Sequence, residues 1–460
     1  MSDYQLIVIG AGPGGYTAAL SAAKLGLKTA VIENRECGGT CLNRGCVPTK
    51  ALLHASGVYA EAVNASRMGV HIGEAKVDLS ELFNFKNQTV EKLRGGIESL
   101  FKAAKVDFIH GKGTITAQGK VAVSGENAGE YTADNIIIAT GSVPARPPIP
   151  GLELEGVVTS DELLSGLDKL PETLVIIGGG VIGVELATFF IDLGTKVSIV
   201  EGLDRLLPNM DRELGQNLAQ LLKKQGASIF TGAMVEKVEK TEAGLNVCFT
   251  QKGNAASAQG ELVLCAIGRR PYNEGLFGEG FSLAMNGRRV AVDENFKTSE
   301  NGIYAIGDVS SPVQLAHVAA AQGKACAEFI AGKKSGVNMN LVPGCVYCKP
   351  EIAAVGLTEA AAKEAGISTK TAKCTMFANA RTIISDSGRS FMKLVANAET
   401  GAIIGAQLMC EHATDMISQL SEAIANEMTP DMLLRAMRPH PTYEEALDAA
   451  LEELSSKLSK

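Results

Sequence analysis

A chain of 460 residues is too long for one core and points to two to four domains. Its 46% hydrophobic and 20% charged residues give the balance of a soluble globular protein, and the lack of any apolar run of about 18 residues argues against a membrane span. A formal net charge of -8 argues against nucleic acid or an anionic membrane surface as partner. Ten cysteines in a chain of this length do not make a disulfide scaffold, so closely spaced ones point to catalysis or metal.

In chain order, the first strand is expected at Gln5 to Ile9, close enough to the start to leave no room for a signal or transit peptide. The expected location is the cytoplasm, or an organelle matrix for a processed form. The run Gly10-Ala11-Gly12-Pro13-Gly14-Gly15 follows, then an Ala-rich helix from Tyr16 to Leu25 and a second strand, Thr29 to Ile32, closed by Glu33. A Pro-rich linker spans Pro144 to Pro150. The opening pattern then returns: a strand Leu174 to Ile177, the turn Gly178 to Gly183, a helix Val184 to Leu193, and a strand Lys196 to Val200 closed by Glu201. The closing acid lies 23 positions after the first glycine in both copies, Gly10 to Glu33 and Gly178 to Glu201. A repeated strand–helix–strand unit of this kind implies two dinucleotide sites. After about residue 336, short β-branched runs alternate with helical ones at Asp415 to Asn426 and Tyr443 to Leu454, which reads as a separate α+β domain.

Each glycine turn carries its own chemistry. The first glycine makes the turn, the second admits a pyrophosphate to the backbone, and the third lets helix and strand pack closely. The helix N-terminus offers free N–H groups to the phosphates. Glu33 and Glu201 are placed to accept from ribose hydroxyls, and an acid at Glu201 repels a 2′-phosphate, favouring NAD over NADP. Arg205, four residues beyond Glu201, is the group that could reverse that choice.

Cysteines at 37, 41 and 46 follow the first unit. Structural thiols, metal ligands and a redox disulfide compete as explanations. The histidines are scattered singly, which weighs against a metal. Cys345-Val346-Tyr347-Cys348 is a second short-spaced pair in a strand-like setting, where residues three apart face opposite sides and do not pair. Cys248, Cys265, Cys326, Cys374 and Cys410 are isolated and expected in cores.

The segment Gly38-Gly39-Thr40-Cys41-Leu42-Asn43-Arg44-Gly45-Cys46-Val47-Pro48-Thr49-Lys50 resembles the active-disulfide signature of the flavin disulfide reductases. The resemblance extends over nearly the whole chain. It includes Ala139-Thr140-Gly141, the turn Gly307-Asp308, the segment Leu315-Ala316-His317, and a C-terminal His440-Pro441-Thr442-Tyr443-Glu444-Glu445. It implies an α/β fold with two Rossmann-like domains, for FAD and NAD, and a C-terminal α+β dimerisation domain. The expected division is 1–148 for FAD, 149–268 for NAD, 269–337 returning to the first domain, and 338–460 for the interface.

The resemblance also implies roles. Cys41 becomes the interchange thiol facing substrate and Cys46 the charge-transfer thiol facing the flavin. Lys50 and Glu185 form an ion pair near the flavin's reactive nitrogen. His440 is the acid–base group and Glu445 its orienting carboxylate, both serving the partner subunit of a homodimer. FAD falls to Gly10, Gly12, Gly14, Gly15, Glu33, Thr40, Lys50, Ala139, Thr140, Gly141, Gly307, Asp308, Leu315, Ala316 and His317. NAD falls to Gly178, Gly180, Val181, Ile182, Gly183, Glu201 and Gly268.

Two positions depart from the family pattern. Cys37 stands where an aliphatic residue is usual, and Arg438-Pro439 where His-Ala often precedes the catalytic histidine. Within the family, Glu201 disfavours a glutathione-type reductase. Mercuric reductases need a C-terminal cysteine pair, whereas the last cysteine here is Cys410. That leaves oxidation of dihydrolipoamide by NAD, the lipoyl group arriving on a separate protein of a 2-oxo acid dehydrogenase or glycine cleavage complex. A reading from another class is a non-enzymatic FAD-bound redox sensor, which needs neither a nicotinamide site nor His440.

Overall fold

The structure, a computed structural model, describes residues 2–242 and 244–460. Its N-terminal strand Tyr4–Ile9 lies parallel between Thr29–Glu33 and Gly129–Ile138. Asp107–His110 extends the sheet on one side and Ile303–Ala305 on the other. A sheet covered on both faces needs apolar residues at every position rather than at alternate ones. Leu6 and Val8 accordingly pack into one core and Ile7 and Ile9 into another, all nearly solvent-free. The first core includes the helices Pro13–Lys24 and Ala316–Ile330. The second is closed by the antiparallel strands Lys112–Ala117 and Lys120–Ser124.

The second glycine turn builds the same plan. Five parallel strands run in the order Ser228–Thr231, Lys196–Glu201, Thr173–Ile177, Leu262–Cys265, Val157–Thr159. The helices Val181–Asp192 and Arg212–Lys224 cover one face and a three-stranded antiparallel sheet the other. Both glycine-turn helices start three residues before the expected position, at Pro13 and Val181. The reason is that the last glycines of each turn already lie inside the helix. Pro13 suits the first helical position, where no backbone N–H is needed.

The Pro-rich linker is ordered. The strand that leads into it, Ser142–Pro144, pairs antiparallel with Arg269–Pro271, so the chain leaves the first sheet and returns to it side by side. The C-terminal part forms an antiparallel sheet in the order Gly344–Val346, Ile352–Gly356, Ile403–Met409, Phe391–Asn397, Thr369–Thr375. Helices Ala413–Ala425 and Glu445–Leu458 pack on it. The last helix starts two residues after the expected Tyr443, at Glu445, whose side chain bonds back to the preceding loop at His440 and Thr442. No helix is long and apolar enough to cross a membrane among the described residues.

Candidate active site

A single cavity of about 2290 Å3 opens between the two parallel sheets and the C-terminal sheet. Ligand sites commonly run to about 300–1,000 Å3, so this volume suits more than one cofactor. Both glycine turns open into it, through Gly10, Gly12 and Gly14 on one side and Gly178, Gly180, Val181 and Ile182 on the other. Gly15 and Gly183 do not line it. A Cβ at Gly15 would stand 1.8 Å from the Gly10 carbonyl oxygen, and one at Gly183 would stand 2.0 Å from that of Gly178. The third glycine of each turn therefore serves helix–strand contact and not ligand contact.

The two acids also behave alike. Glu33 accepts from the N–H groups of Ala11 at 2.8 Å and Arg35 at 2.9 Å. Glu201 accepts from Gly179 at 2.6 Å and Leu203 at 2.7 Å. Each carboxylate thus ties its glycine turn to the end of the second strand and keeps lone pairs for a further donor. Arg205 turns away from a phosphate role: its guanidinium donates to Asp204 at 2.8 Å and to the Pro208 carbonyl at 2.9 Å.

Cys41 and Cys46 are joined as a disulfide, with Cα atoms 4.7 Å apart, and both line the cavity. Cys41 sits on the short helix Gly39–Arg44 and Cys46 opens the helix Cys46–Val63. One turn further on, Lys50 Nζ lies 2.7 Å from Glu185 Oε2 on the helix of the second glycine turn. Glu185 is 3% exposed, and its other oxygen accepts from the Tyr347 N–H at 3.0 Å. The Tyr347 ring lies 4.5 Å from Lys50 Nζ, in cation–π range. This pair, with Glu185 buried and Lys50 half-buried, joins the Cys46 helix to the helix of the second glycine turn and to the backbone of Tyr347.

Opposite, Thr40, Ala139, Thr140, Gly141, Gly307, Asp308, Leu315, Ala316 and His317 line the cavity. Asp308 accepts from Ser142 Oγ at 2.5 Å, and Ser142 Oγ accepts from Arg269 Nε at 2.8 Å. Burial raises the Asp308 pKa, with the Ser142 hydrogen bond and then Arg269 opposing it. His317 Nε2 lies 2.9 Å from the Pro343 carbonyl oxygen. The residues fit a flavin dinucleotide on three counts. A free helix N-terminus faces the cavity at Pro13. Gly39 approaches Gly12 so closely that a Cβ on Gly39 would stand 2.5 Å from the Gly12 Cα. A half-buried carboxylate at Asp308 lines the cavity and can accept from hydroxyl donors. Gly268 and Glu201 line the opposite end, beside the second glycine turn.

His440 and Glu445 are not among the residues that line this cavity. Nδ1 of His440 lies 2.7 Å from Glu445 Oε1, and Glu445 Oε2 accepts from the Thr442 N–H at 2.9 Å. Glu444, the neighbouring acid, instead accepts from Gln419 at 2.9 Å. The hydrogen bond from His440 is the larger reason, and that from Thr442 the next, why the Glu445 pKa is held below its ordinary value. Arg438 is nearly buried and pairs with Asp448, so it supports the loop from below.

Sequence reasoning missed Ser142, Arg269 and Tyr347. Arg269 directly follows the predicted Gly268, and Tyr347 lies inside the cysteine pair set aside as a decoy. That strand is shorter than expected, Gly344–Val346, and ends before Cys348. Cys345 and Cys348 are both free thiols. Cys345 lines the cavity and burial raises its pKa to about 11, whereas Cys348 is wholly buried. Cys37 is a buried free thiol whose pKa burial raises to about 12. Cys265, Cys326 and Cys410 are in cores, but Cys248 and Cys374 are only half-buried, on strands with one open face.

Comparison with known proteins agrees with this geometry. The pyridine nucleotide-disulphide oxidoreductase family matches residues 4–323, and its dimerisation domain matches residues 342–451. A dihydrolipoyl dehydrogenase of Bacillus subtilis is 38% identical over 464 residues, covering 98% of this chain and 97% of that protein. Dihydrolipoyl dehydrogenase 3 of Pseudomonas putida is 39% identical over 459 residues, covering 98% of each. Among solved structures, LpdA of Mycobacterium tuberculosis superposes with a TM-score of 0.88 at 28% identity, covering 98% of this chain and 99% of that one. The HOCl-induced flavoprotein disulfide reductase RclA of Escherichia coli, as a Cu(II) complex, gives 0.87 at 29% identity, covering 98% and 100%. With its glycine turns, its disulfide and its C-terminal sheet in this arrangement, the chain belongs to the pyridine nucleotide-disulphide oxidoreductase family.

Proposed function

We propose that the protein oxidises a protein-bound dihydrolipoyl dithiol with NAD. The observation that carries this reading is the Cys41–Cys46 disulfide standing in one cavity with both dinucleotide turns. When bound, FAD supplies two-electron transfer between the cysteine pair and the nicotinamide. It is held by the first turn, Glu33, Thr140, Gly141 and Asp308, and NAD by the second turn and Glu201.

The chain's own residues perform the sulfur chemistry. His440 of the partner subunit takes a proton from one substrate thiol, because only the thiolate is a competent nucleophile. Glu445 holds the imidazole in the orientation that leaves Nε2 free for that proton. The thiolate attacks Cys41, the Cys41–Cys46 bond breaks, and Cys46 leaves as a thiolate. The second substrate thiol then attacks the substrate sulfur of the mixed disulfide. Cys41 departs and takes back the proton held by His440, and the second thiol's proton passes to water. The substrate ends as a disulfide and the cysteine pair is reduced by two electrons. Cys46 faces the FAD side of the cavity beside Lys50, whose ammonium favours a thiolate there.

The full site needs two copies of the chain, since His440 lies away from its own cavity; the dimerisation domain supports a homodimer. The partner that delivers the dithiol is a lipoyl-bearing protein of a 2-oxo acid dehydrogenase or glycine cleavage complex. The bacterial relatives support a cytoplasmic setting. NAD specificity rests on Glu201 and on the engagement of Arg205 with Asp204 and Pro208.

A purified-protein assay tests the reading. Rapid reduction of NAD by dihydrolipoamide is expected, with little turnover of NADP or of glutathione disulfide. Faster turnover of glutathione disulfide with NADPH would overturn the substrate and cofactor assignment together. NADH-linked dithiol turnover also separates an enzyme from an FAD-bound sensor, which would show none.

A further inference from the structure

Inside the ring closed by the redox cysteines sits Asn43, whose amide is fully engaged. Its Nδ2 donates to the carbonyl oxygens of Cys37 and Gly39, both at 2.9 Å. Its Oδ1 accepts from Arg94 twice, from Nε at 3.1 Å and from the terminal nitrogen at 2.9 Å. An amide offers two donors and two lone pairs, and all four are used. Arg94 lies 51 residues away, on the helix Leu79–Ala104. That helix is 26 residues long and rests on Val90, Ile97 and Phe101, so it is a firm support.

The segment that Asn43 restrains has little stability of its own. The helix Gly39–Arg44 has six residues, and its N-cap Gly38 gives no side-chain cap. So short a helix does not persist without outside contacts. In the oxidised protein the disulfide itself restrains Cys41 against Cys46. Once the bond is reduced that restraint is gone, and the Asn43–Arg94 hydrogen bonds, beside Leu42 packed in the same core as Val90 and Ile97, are what still tie the Cys41 helix to the long helix.

We propose that Arg94, acting through Asn43, is a positioning residue that keeps the reduced Cys41 and Cys46 thiols together and so favours re-formation of their disulfide. The proposal rests on the redox role of this pair. Its sign follows from chain entropy. Ordering the open dithiol lowers the entropy lost on closing the ring, which raises the equilibrium constant for the disulfide. The bound on the effect is the whole closure entropy of a ring this short, equivalent to about fortyfold. Removing the clamp makes the pair easier to reduce.

The experiment equilibrates the FAD-loaded protein with mixtures of reduced and oxidised dithiothreitol. The exchange is two-electron: the reagent closes to its cyclic disulfide while Cys41 and Cys46 each gain a proton. Alkylation and peptide mass analysis then give the reduced fraction of the Cys41–Cys46 peptide. Arg94→Leu and Asn43→Leu are expected to lower the constant for disulfide formation about tenfold, within the entropy bound. Asn43→Leu keeps the size of the side chain but has neither an acceptor for Arg94 nor a donor for the two carbonyls. Arg94→Lys, which keeps a donor to Asn43, should recover most of the loss. If Arg94→Leu does not fold, Asn43→Leu and Arg94→Lys decide the matter alone. Constants for Arg94→Leu and Asn43→Leu within about twofold of the unsubstituted protein, whatever happens to thermal stability, would show that the clamp is merely structural and overturn the proposal. Failure of the unsubstituted protein to show any reducible Cys41–Cys46 pair would instead overturn the redox reading beneath it.

Discussion

His440 presents 75% of its side chain to solvent, yet its Nδ1 is pinned 2.7 Å from Glu445. A ring held at one nitrogen and open at the other is set up to exchange protons with something outside its own subunit. His440→Gln should slow thiol–disulfide exchange by about 10²–10⁴, the usual contribution of a positioned acid–base group. Hydride transfer between NADH and flavin should be nearly unchanged, and rapid-reaction absorbance separates the two steps; equal slowing of both would remove the base role. Because Glu445 has a lowered pKa, its ionised form contributes to the loop's stability above the ordinary carboxylate range. That contribution is lost only as pH falls through the lowered folded value, so the orienting carboxylate stays charged at neutral pH. Cys46→Ser should abolish dithiol turnover while flavin and NADH still bind, and retention of full turnover would end the disulfide assignment. Cys37 makes a contrasting prediction. Burial raises its pKa from 9.0 to about 12, so the unfolded thiol ionises first. Its stabilising effect is complete below pH 9 and is lost as pH rises toward 12. Cys37→Val should leave turnover intact and gain stability relative to the parent over that alkaline window, as measured by chemical denaturation.

Each glycine turn is an element in which three small residues have separate duties. Gly15 and Gly183 lie under the turn, where a methyl group would meet the carbonyl of Gly10 or Gly178. Gly15→Ala should weaken FAD retention and Gly183→Ala should weaken NADH binding, each by about tenfold or more, the equivalent of one displaced hydrogen bond. The first is read from flavin content after purification, the second by NADH titration with flavin retained. Loss of both cofactors in Gly183→Ala would mean that the two sites are not separable. The repeated spacing of glycines and acid is legible in sequence because each unit is local and its period is set by strand and helix geometry. Arg269, Ser142 and Asp308 could not be linked that way. They lie on two antiparallel strands paired side by side and on a distant turn, and sequence distance says nothing about a hydrogen bond across 127 residues. The setting of Cys345–Cys348 reads as strand-like in the sequence, but the strand stops at Val346. Its role as a floor beneath Lys50 depends on which sheet docks there.

At the scale of the whole molecule, the cavity holds the disulfide and both nucleotide turns but not the acid–base pair. Two inactive proteins should therefore complement each other. Mixing Cys46→Ser and His440→Gln subunits, with dissociation and reassociation, should restore about a quarter of the parent dithiol activity. Half of a random population is mixed dimers, each with one intact site, under two-fold symmetry. No recovery would place His440 in its own subunit's reaction. The amino-acid sequence by itself determined the two nucleotide units, the reactive cysteine pair and the C-terminal histidine, because each is a short pattern whose chemistry depends on near neighbours. Only the tertiary structure decided that Tyr347 joins the Lys50–Glu185 pair, that Arg205 is turned away, and that Arg94 reaches Asn43. Those contacts join residues far apart along the chain, and they follow from how sheets and helices pack, which no local pattern records.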